Sequence, residues 1–151
     1  MLLAPHESGG GSATLCGWTS RAQPRGSMME GSEQLEQGRA AFNRGEYFCA
    51  HELWEEVWLE TPNPDKKFLQ GLIQVAAAFH HFSRANLRGT RNLLRAGLLK
   101  LNCFPEVHGG LEIAALCEAV RGWLAGLAAE ESLEDSRIPR IHTCKGGRLS
   151  I

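Results

Sequence analysis

The stretch Phe68-Leu-Gln-Gly-Leu-Ile-Gln-Val-Ala-Ala-Ala-Phe-His-His-Phe82 predicts the fold of this chain. Placed on a helix at about 100° per residue, its large apolar side chains occupy one broad half of the surface. Asn63 and Pro64 are a good start signal, so the spacing predicts a helix over about 64–85, long enough to run through the middle of a bundle. Gly71 costs about 1 kcal/mol of helix propensity, which favours close packing against a neighbouring helix.

Further segments with helical spacing lie on both sides of this central helix. Breaks at Asn43-Arg-Gly45, at Thr61-Pro62 and in the loop 102–110 separate them, and no stretch shows convincing strand alternation. Short connections favour antiparallel neighbours. The sequence therefore predicts an all-α fold, a compact antiparallel bundle of four to five helices. The flanking helices are expected at about 32–44, 46–60, 87–101 and 111–129.

The two ends of the chain differ in composition from the helical part. Residues 1–30 are rich in Gly, Ser and Pro and have no helical period, which is typical of a segment that cannot bury enough surface to fold. Met28 or Met29 directly precedes the first helical pattern, so either is an alternative translation start. We expect a disordered leader over 1–30, a helical domain over 31–130 and a flexible tail over 131–151.

Composition narrows the class of protein. The chain has 151 residues, 43% hydrophobic content and a formal charge of -1, which suits one soluble domain with a core. Near-neutral charge argues against bulk attraction to nucleic acid or to a membrane, and no apolar run approaches the roughly 18 residues of a membrane span. The five cysteines are widely spaced and form no C-x-x-C pair. We therefore expect a cytoplasmic protein with reduced thiols rather than a disulfide framework or a thiolate metal site.

Ionisable and amide side chains stand on the apolar faces of two neighbouring helices. His51 and Glu55 are one turn apart in the inward arc of the helix over 46–60, and His80 lies within the apolar half of the central helix. Inward polar groups must be hydrogen-bonded, paired or metal-bound, because burying a charge unpaired costs several kcal/mol. We expect them to converge in one hydrogen-bonded cluster with Gln70 or Gln74. The candidate binding pocket contains His51, Glu52, Glu55, Trp58, Gln70, Gln74 and His80.

Three interpretations fit these residues: a metal site, acid–base chemistry and a structural network. The segment His51-Glu-Leu-Trp-Glu55 begins like a zinc-protease helix, but its fifth position is not histidine, which excludes that class. A mononuclear Zn(II) or Fe(II) site from His51, Glu55 and His80 suits the ligand types. Acid–base chemistry fits as well, because burial and the His51–Glu55 contact would shift each pKa toward neutrality. The third interpretation is a structural network that sets helix register.

Charge is distributed unevenly along the chain. The stretch 84–100 contains Arg84, Arg88, Arg91, Arg95 and Lys100 without any acidic residue. Such a row suits phosphates or an acidic partner. It is equally consistent with a solvated face or with pairing to an acidic neighbouring helix, so the sequence leaves these alternatives open.

The stretch from Phe42 to Leu101 resembles the bacterial and archaeal helical family known as domain of unknown function 309. The resemblance implies a small, intracellular, all-helical domain, and it implies no established catalytic activity. The matching residues are Phe42-Asn43, Gly45-Glu-Tyr-Phe48, Ala50-His-Glu-Leu-Trp-Glu-Glu-Val-Trp58, Phe68-Leu-Gln-Gly-Leu-Ile-Gln74, Ala76-Ala77, His80-His81, Asn86, Gly89 and Leu93-Leu94. The family's signature falls on His51, Glu52, Glu55, Trp58, Gln70, Gly71 and His80.

The favoured interpretation is a small binding or interaction module that uses the polar pocket between the second and third helices. The alternative is a metal-dependent or acid–base enzyme using His51, Glu55 and His80, and a second alternative is an adaptor using the basic face Arg84–Arg95. The sequence identifies no ligand and no cofactor beyond the divalent metal of that alternative. A protein partner or a second copy fits better than nucleic acid or a membrane.

Overall fold

The computed structural model of the protein describes residues 28–144, with side chains from residue 32 onward. Five helices dominate, which confirms the all-α bundle: α1 (Met28–Asn43), α2 (Tyr47–Glu60), α3 (Asp65–Ser83), α4 (Leu87–Leu101) and α5 (Ile113–Ala128). Two short strands, β1 (Val107–His108) and β2 (Leu111–Glu112), form a hairpin in the loop before α5, and a 3₁₀ turn covers Asp135–Arg137. Helix α1 thus begins at Met28, residues 1–27 lie outside the described residues, and the leader expected over 1–30 stays a prediction.

Helix α3 is the centre of the bundle, as the sequence predicts. It packs against α2 on one side and α4 on the other, while α1 packs on α2 and α5 on α4. Residues 71–79 are all buried, so both sides of α3 are covered over most of its length. No helix within residues 28–144 combines the length and apolar character needed to cross a membrane.

Two glycines bring the backbones of α3 and α4 into contact. A Cβ added to Gly97 would stand 2.9 Å from Val75 Cγ2 and 3.0 Å from the carbonyl oxygen of Gly71. A Cβ on Gly71 would stand 2.9 Å from the side chain of Leu101. Real side chains essentially require more room, so only glycine allows this crossing. The helix-propensity cost of Gly71 is therefore offset by the close packing that the sequence indicated.

Trp54 connects α2 to α1. Its indole is fully buried, and Nε1 donates a hydrogen bond to the carbonyl oxygen of Leu35 at 3.1 Å. Gly38 lies directly against the indole, where any Cβ would overlap the ring. The ring of Phe42 stacks on Trp54 with centroids 6.2 Å apart. This contact orients α2 and hence the face on which its polar residues lie.

The segment after α5 contacts the rest of the fold as far as residue 144, and the flexible tail over 131–151 stays a prediction. Ile141 is 1% exposed, and its carbonyl oxygen accepts from Arg39 at 2.9 Å and from the Asn43 amide at 3.0 Å. The Asn43 side chain in turn accepts from the Ile141 N–H at 2.8 Å, and Thr143 bridges to Leu111 of β2. One buried side chain and a few backbone bonds leave no periodic pattern, so sequence analysis missed them. Residues 145–151 lie outside the described residues.

Candidate functional site

Helix α2 positions the first part of the site. Gly45, with a φ of 86°, lets the chain reverse between α1 and α2, and Thr61 ends α2 with its hydroxyl donating to the Val57 carbonyl at 2.6 Å. Between these ends Leu53 and Val57 are buried, and His51 is buried as well, with 7% of its surface exposed. The predicted inward position of His51 is therefore confirmed.

His51 and Glu55 form a close pair one turn apart. His51 Nε2 lies 3.9 Å from Glu55 Oε1, which is an ionic contact and is longer than a hydrogen bond. The Glu55 side chain is 36% exposed, so Glu55 lies at the rim of the buried face rather than inside it. The pair thus has one buried member and one that solvent or a ligand can reach.

Phe48 joins His51 to His80 across the seam between α2 and α3. Its ring stacks on the His51 imidazole with centroids 5.6 Å apart and an interplanar angle of 18°. The same ring lies 5.2 Å from the His80 imidazole at 42°. Sequence reasoning did not include Phe48 in the site. Its spacing of three residues from His51 on one helix is the signal that could have found it.

The electrostatics of the site favour neutral groups. Burial raises the pKa of Glu55, and burial together with the negative charge of Glu55 raises the pKa of Glu52. Burial lowers the pKa of His80, and the positive charges of Arg84 and His81 lower it further. Helix α2 has no Lys or Arg, and within residues 32–144 no basic side chain forms an ion pair with Glu52. The carboxylates are thus partly desolvated without a permanent cation to compensate them.

Trp58 belongs to the seam through Lys66 of α3. The Lys66 ammonium lies 3.9 Å from the centroid of the Trp58 ring, a cation–π contact, and donates to the Trp58 carbonyl oxygen at 2.9 Å. Lys66 was absent from the candidate residues, and it contacts Trp58, which lies three residues after Glu55 on α2. At the Trp58 end of the α2–α3 seam, Lys66 supplies a positive charge. Near Glu52, no basic side chain among the described residues forms an ion pair.

The two glutamines do not join the predicted cluster. Within the described residues neither Gln70 nor Gln74 makes a hydrogen bond to His51, Glu55 or His80, so the single hydrogen-bonded network is wrong as predicted. Gln74 lies on α3 three residues after Gly71, the residue that touches α4. Gln74 is 6% exposed, and its Oε1 makes no hydrogen bond among the described residues.

The metal site is not assembled either. Within the described residues, no group of three or more His, Cys, Asp or Glu side chains could hold a metal ion. His51 and Glu55 come together, and the ring of Phe48 lies against the imidazoles of both His51 and His80. The mononuclear site predicted from these three residues is therefore not supported by the geometry. The arrangement suits proton exchange at Glu55 or the binding of a positively charged group.

The basic residues of α4, and Arg84 just after α3, are solvated. Arg84, Arg88, Arg91 and Arg95 are exposed, and within residues 32–144 none of them forms an ion pair. Pairing to an acidic neighbouring helix, one of the alternatives left by the sequence, is therefore not what the structure shows. Leu99, on the same helix, is 72% exposed.

A shallow cavity lies elsewhere, where the turn between α1 and α2 meets the end of α3 and the segment 135–140. Its volume is about 400 Å³, and Tyr47, Arg44, Asp135 and Arg140 are among the residues that line it. Burial and the charge of Asp135 raise the pKa of Tyr47. The sequence did not indicate this cavity because residues from three distant segments form it. It contains none of the predicted site residues.

Comparison with known proteins finds a family match whose range includes α2 and α3. Residues 35–93 match the model of the family described as "Domain of unknown function (DUF309)". An uncharacterised protein of Aquifex aeolicus is 36% identical over 95 residues, which cover 60% of this chain and 28% of the relative. The uncharacterised protein YpuF of Bacillus subtilis is 40% identical over 50 residues, or 32% of this chain and 29% of the relative. The matched region is thus a small part of both relatives.

Proposed function

We propose that this chain, which carries a DUF309 domain, is a small binding module that holds a positively charged group on α2 beside the α2–α3 seam. The observation that carries this proposal is the half-buried pair Glu52 and Glu55 on a helix without Lys or Arg. The binding interpretation drawn from the sequence is kept, and its ligand class becomes specific.

The energetic argument rests on desolvation. Burial penalises the charged form of Glu52 and Glu55, and the nearness of the two negative charges adds to the penalty on Glu52. A cation within about 4–6 Å favours the charged form of a carboxylate. Binding of a cationic group would therefore offset the desolvation penalty on the charged forms of Glu52 and Glu55. For this reason these carboxylates are better ligands for a cation than fully solvated ones.

Neighbouring side chains give the face its shape. His51 Nε2 lies 3.9 Å from Glu55 Oε1, and the half-buried ring of Phe48, one turn before Glu52 on α2, stacks on the His51 imidazole. Aromatic rings attract ammonium and guanidinium groups by about 0.5–1 kcal/mol at exposed sites. Leu59, one turn beyond Glu55, is 65% exposed and adds apolar contact. A lysine or arginine side chain with an apolar stem matches this combination of surfaces.

We also propose a cytoplasmic location. Cys103, Cys117 and Cys144 are free thiols. Free thiols are typical of proteins in reducing compartments. Detection of the tagged full chain by fractionation of its native host would test this proposal.

A titration of the full chain followed by proton–nitrogen NMR tests the binding proposal. The probe is acetyl-Arg-Ala-Ala-Arg-amide, and the matched probe is acetyl-Gln-Ala-Ala-Gln-amide. We expect saturable shift changes over residues 48–59 with the arginine peptide only. The double variant Glu52→Gln/Glu55→Gln should lose them, whereas Glu118→Gln, an 81% exposed acid on α5, should not. Equal responses to both peptides, or an unchanged response in the double variant, would overturn the proposal.

A further inference from the structure

We infer that the positively charged partner of α2 is α4 of a second copy of this chain. This inference rests on the proposed function and names the partner of the same face. Two surfaces are involved. The acidic stripe is formed by Phe48, Glu52, Glu55 and Leu59 of α2, and the arginine row by Arg88, Arg91, Arg95 and Leu99 of α4.

The two surfaces match in length and spacing. In the acidic stripe the residues follow one another at intervals of four, three and four, and in the arginine row at intervals of three, four and four. Such intervals place each set along one face of its helix. Both sets span the same number of residues, which corresponds to about 16 Å at the helical rise. Two helices laid side by side can therefore bring each member close to one counterpart.

A parallel arrangement satisfies every member. Leu59 then meets Leu99, Glu55 meets Arg95, and Glu52 meets Arg91. The guanidinium of Arg88 falls on the ring of Phe48, a cation–π contact. The antiparallel arrangement keeps two ion pairs but sets Leu59 against Arg88. Since Leu59 and Leu99 are 65% and 72% exposed, the parallel arrangement also removes both exposed leucines from water.

The contact must be made between molecules. Helix α3 lies between α2 and α4 and packs against both, so the acidic stripe cannot reach the arginine row of its own chain. Within residues 32–144 the arginines of the row form no ion pair, and Glu52 has no basic partner. Each copy thus offers one surface of each charge at separate places. This is a heterologous contact, which generates rings or open chains rather than an isologous dimer.

The contact is expected to be weak and sensitive to salt. One pair of exposed helices buries less than the roughly 1,200–2,000 Å² of a standard stable interface. Its charges lie near the surface, where salt screens them beyond about 10 Å at 0.1 M ionic strength. Association should therefore rise with protein concentration at low salt and disappear at high salt.

Sedimentation of the full chain with two charge-reversed variants tests this inference. Variant one is Glu52→Arg/Glu55→Arg and variant two is Arg91→Glu/Arg95→Glu, each checked for helical content by circular dichroism. The unaltered chain should show a mean mass above the monomer at high concentration and about 50 mM salt. Each variant alone should stay monomeric, since its two surfaces then carry the same charge. Mixed together they should co-assemble, because every contact regains opposite charges. Glu118→Arg, which alters an exposed acid on α5, should associate like the unaltered chain.

Four results would overturn the inference, and they differ in what they say about the proposed function. An unaltered chain that stays monomeric while the arginine peptide still shifts residues 48–59 refutes the second copy alone. A monomeric chain that also ignores the peptide refutes both proposals. If the chain stays monomeric and a random-sequence RNA oligonucleotide binds it with losses on Arg91→Glu/Arg95→Glu, the row is a nucleic-acid surface. Association retained by both variants alone would exclude these two surfaces as the contact.

Discussion

Two regions of the molecule that involve α3 differ in how they are packed. One is the contact between α3 and α4, and the other is the face of α2 beside α3. At the first, glycine backbones touch, and Gly97 leaves no room for a methyl group next to Val75 and Gly71. At the second, ionisable side chains lie at partial burial, and the carboxyl pKa values of Glu52 and Glu55 are raised. Both regions involve the same central helix, so the difference comes from the side chains that face it.

This difference separates the part of the molecule that sets the fold from the part available for function. Close packing stabilises through dispersion and burial of apolar area, at about 25 cal/mol per Å². Half-buried carboxylates without a cation lower the free energy of unfolding relative to apolar side chains at the same positions. Groups with perturbed pKa values cluster at functional sites, and stability is often lower there. The four predictions below test whether this division holds.

The largest loss is expected for Gly97→Val. The new Cβ would lie 3.0 Å from the Gly71 carbonyl oxygen and 2.9 Å from Val75 Cγ2, so the helices must separate. We expect the free energy of unfolding, measured with urea, to fall by about 3 kcal/mol. Gly122→Ala is the control, because a Cβ there meets nothing within 4 Å. It should stabilise by about 1 kcal/mol through helix propensity. If Gly97→Val leaves the free energy of unfolding unchanged, the α3–α4 contact does not depend on close glycine packing and the two regions do not differ in this way.

Removal of residues 133–151 tests whether the C-terminal segment belongs with the tightly packed region. The truncation exposes the pocket of Ile141 and leaves both groups of the Asn43 side chain without their backbone partners. We expect a loss of about 2 kcal/mol in chemical unfolding, on the scale of burying one isoleucine. A chain ending at residue 144 is the control. Equal stability of both chains would support the flexible tail that the sequence suggested and reduce these contacts to incidental ones.

His51→Ala and His51→Leu separate packing from charge on the α2 side. Alanine leaves a gap beside Phe48, and we expect a loss of about 1–2 kcal/mol, smaller than at the helix crossing because Glu55 is partly solvated. Leucine should recover most of that loss, since it refills the volume. Thermal melts of both variants give the measurement. If His51→Leu lowers the melting temperature as much as His51→Ala does, the imidazole stabilises the fold through its polar contacts. That result would support the structural-network interpretation.

The smallest effects concern pH. Folded-state pKa values of Glu52 and Glu55 are raised, so their contribution is fully present below the ordinary carboxyl pKa and is lost as pH rises through the folded values. The folded-state pKa of His80 is lowered, so its contribution is present above the ordinary imidazole pKa and is lost as pH falls through the folded value. Because these groups are partly exposed, solvent screening limits each to less than about 1 kcal/mol.

Substitutions make this pH dependence visible in thermal melts. Glu52→Gln/Glu55→Gln should stabilise the protein at pH 7 and flatten the fall in stability above the carboxyl range. His80→Gln should flatten the fall on the acid side of the imidazole range. Glu118→Gln, on an exposed acid of α5, is the control and should leave the pH profile unchanged. Destabilisation by the double glutamine variant at pH 7 would mean that the carboxylates already have the cation that we assign to a partner.

Local patterns were enough to predict much of the fold. The apolar half of α3, the breaks around Gly45 and Pro62, and the cost of Gly71 led to five helices with α3 at the centre. The reason is that helix periodicity and backbone breakers act over a few residues, which a sequence displays directly. The nearness of His51 and Glu55 was predictable for the same reason, because both lie on one helix, one turn apart.

The sequence by itself determined the all-helical bundle, the central place of α3 and the pairing of His51 with Glu55. The tertiary structure alone decided that Phe48 joins His51 to His80, that Gln74 is buried without a hydrogen bond to its Oε1 among the described residues, and that Ile141 is buried against Asn43. These outcomes depend on the rotation of one helix against another and on contacts between residues far apart in the chain. Periodicity describes one element at a time, and the relative rotation of packed elements follows only from how their side chains fill the shared space.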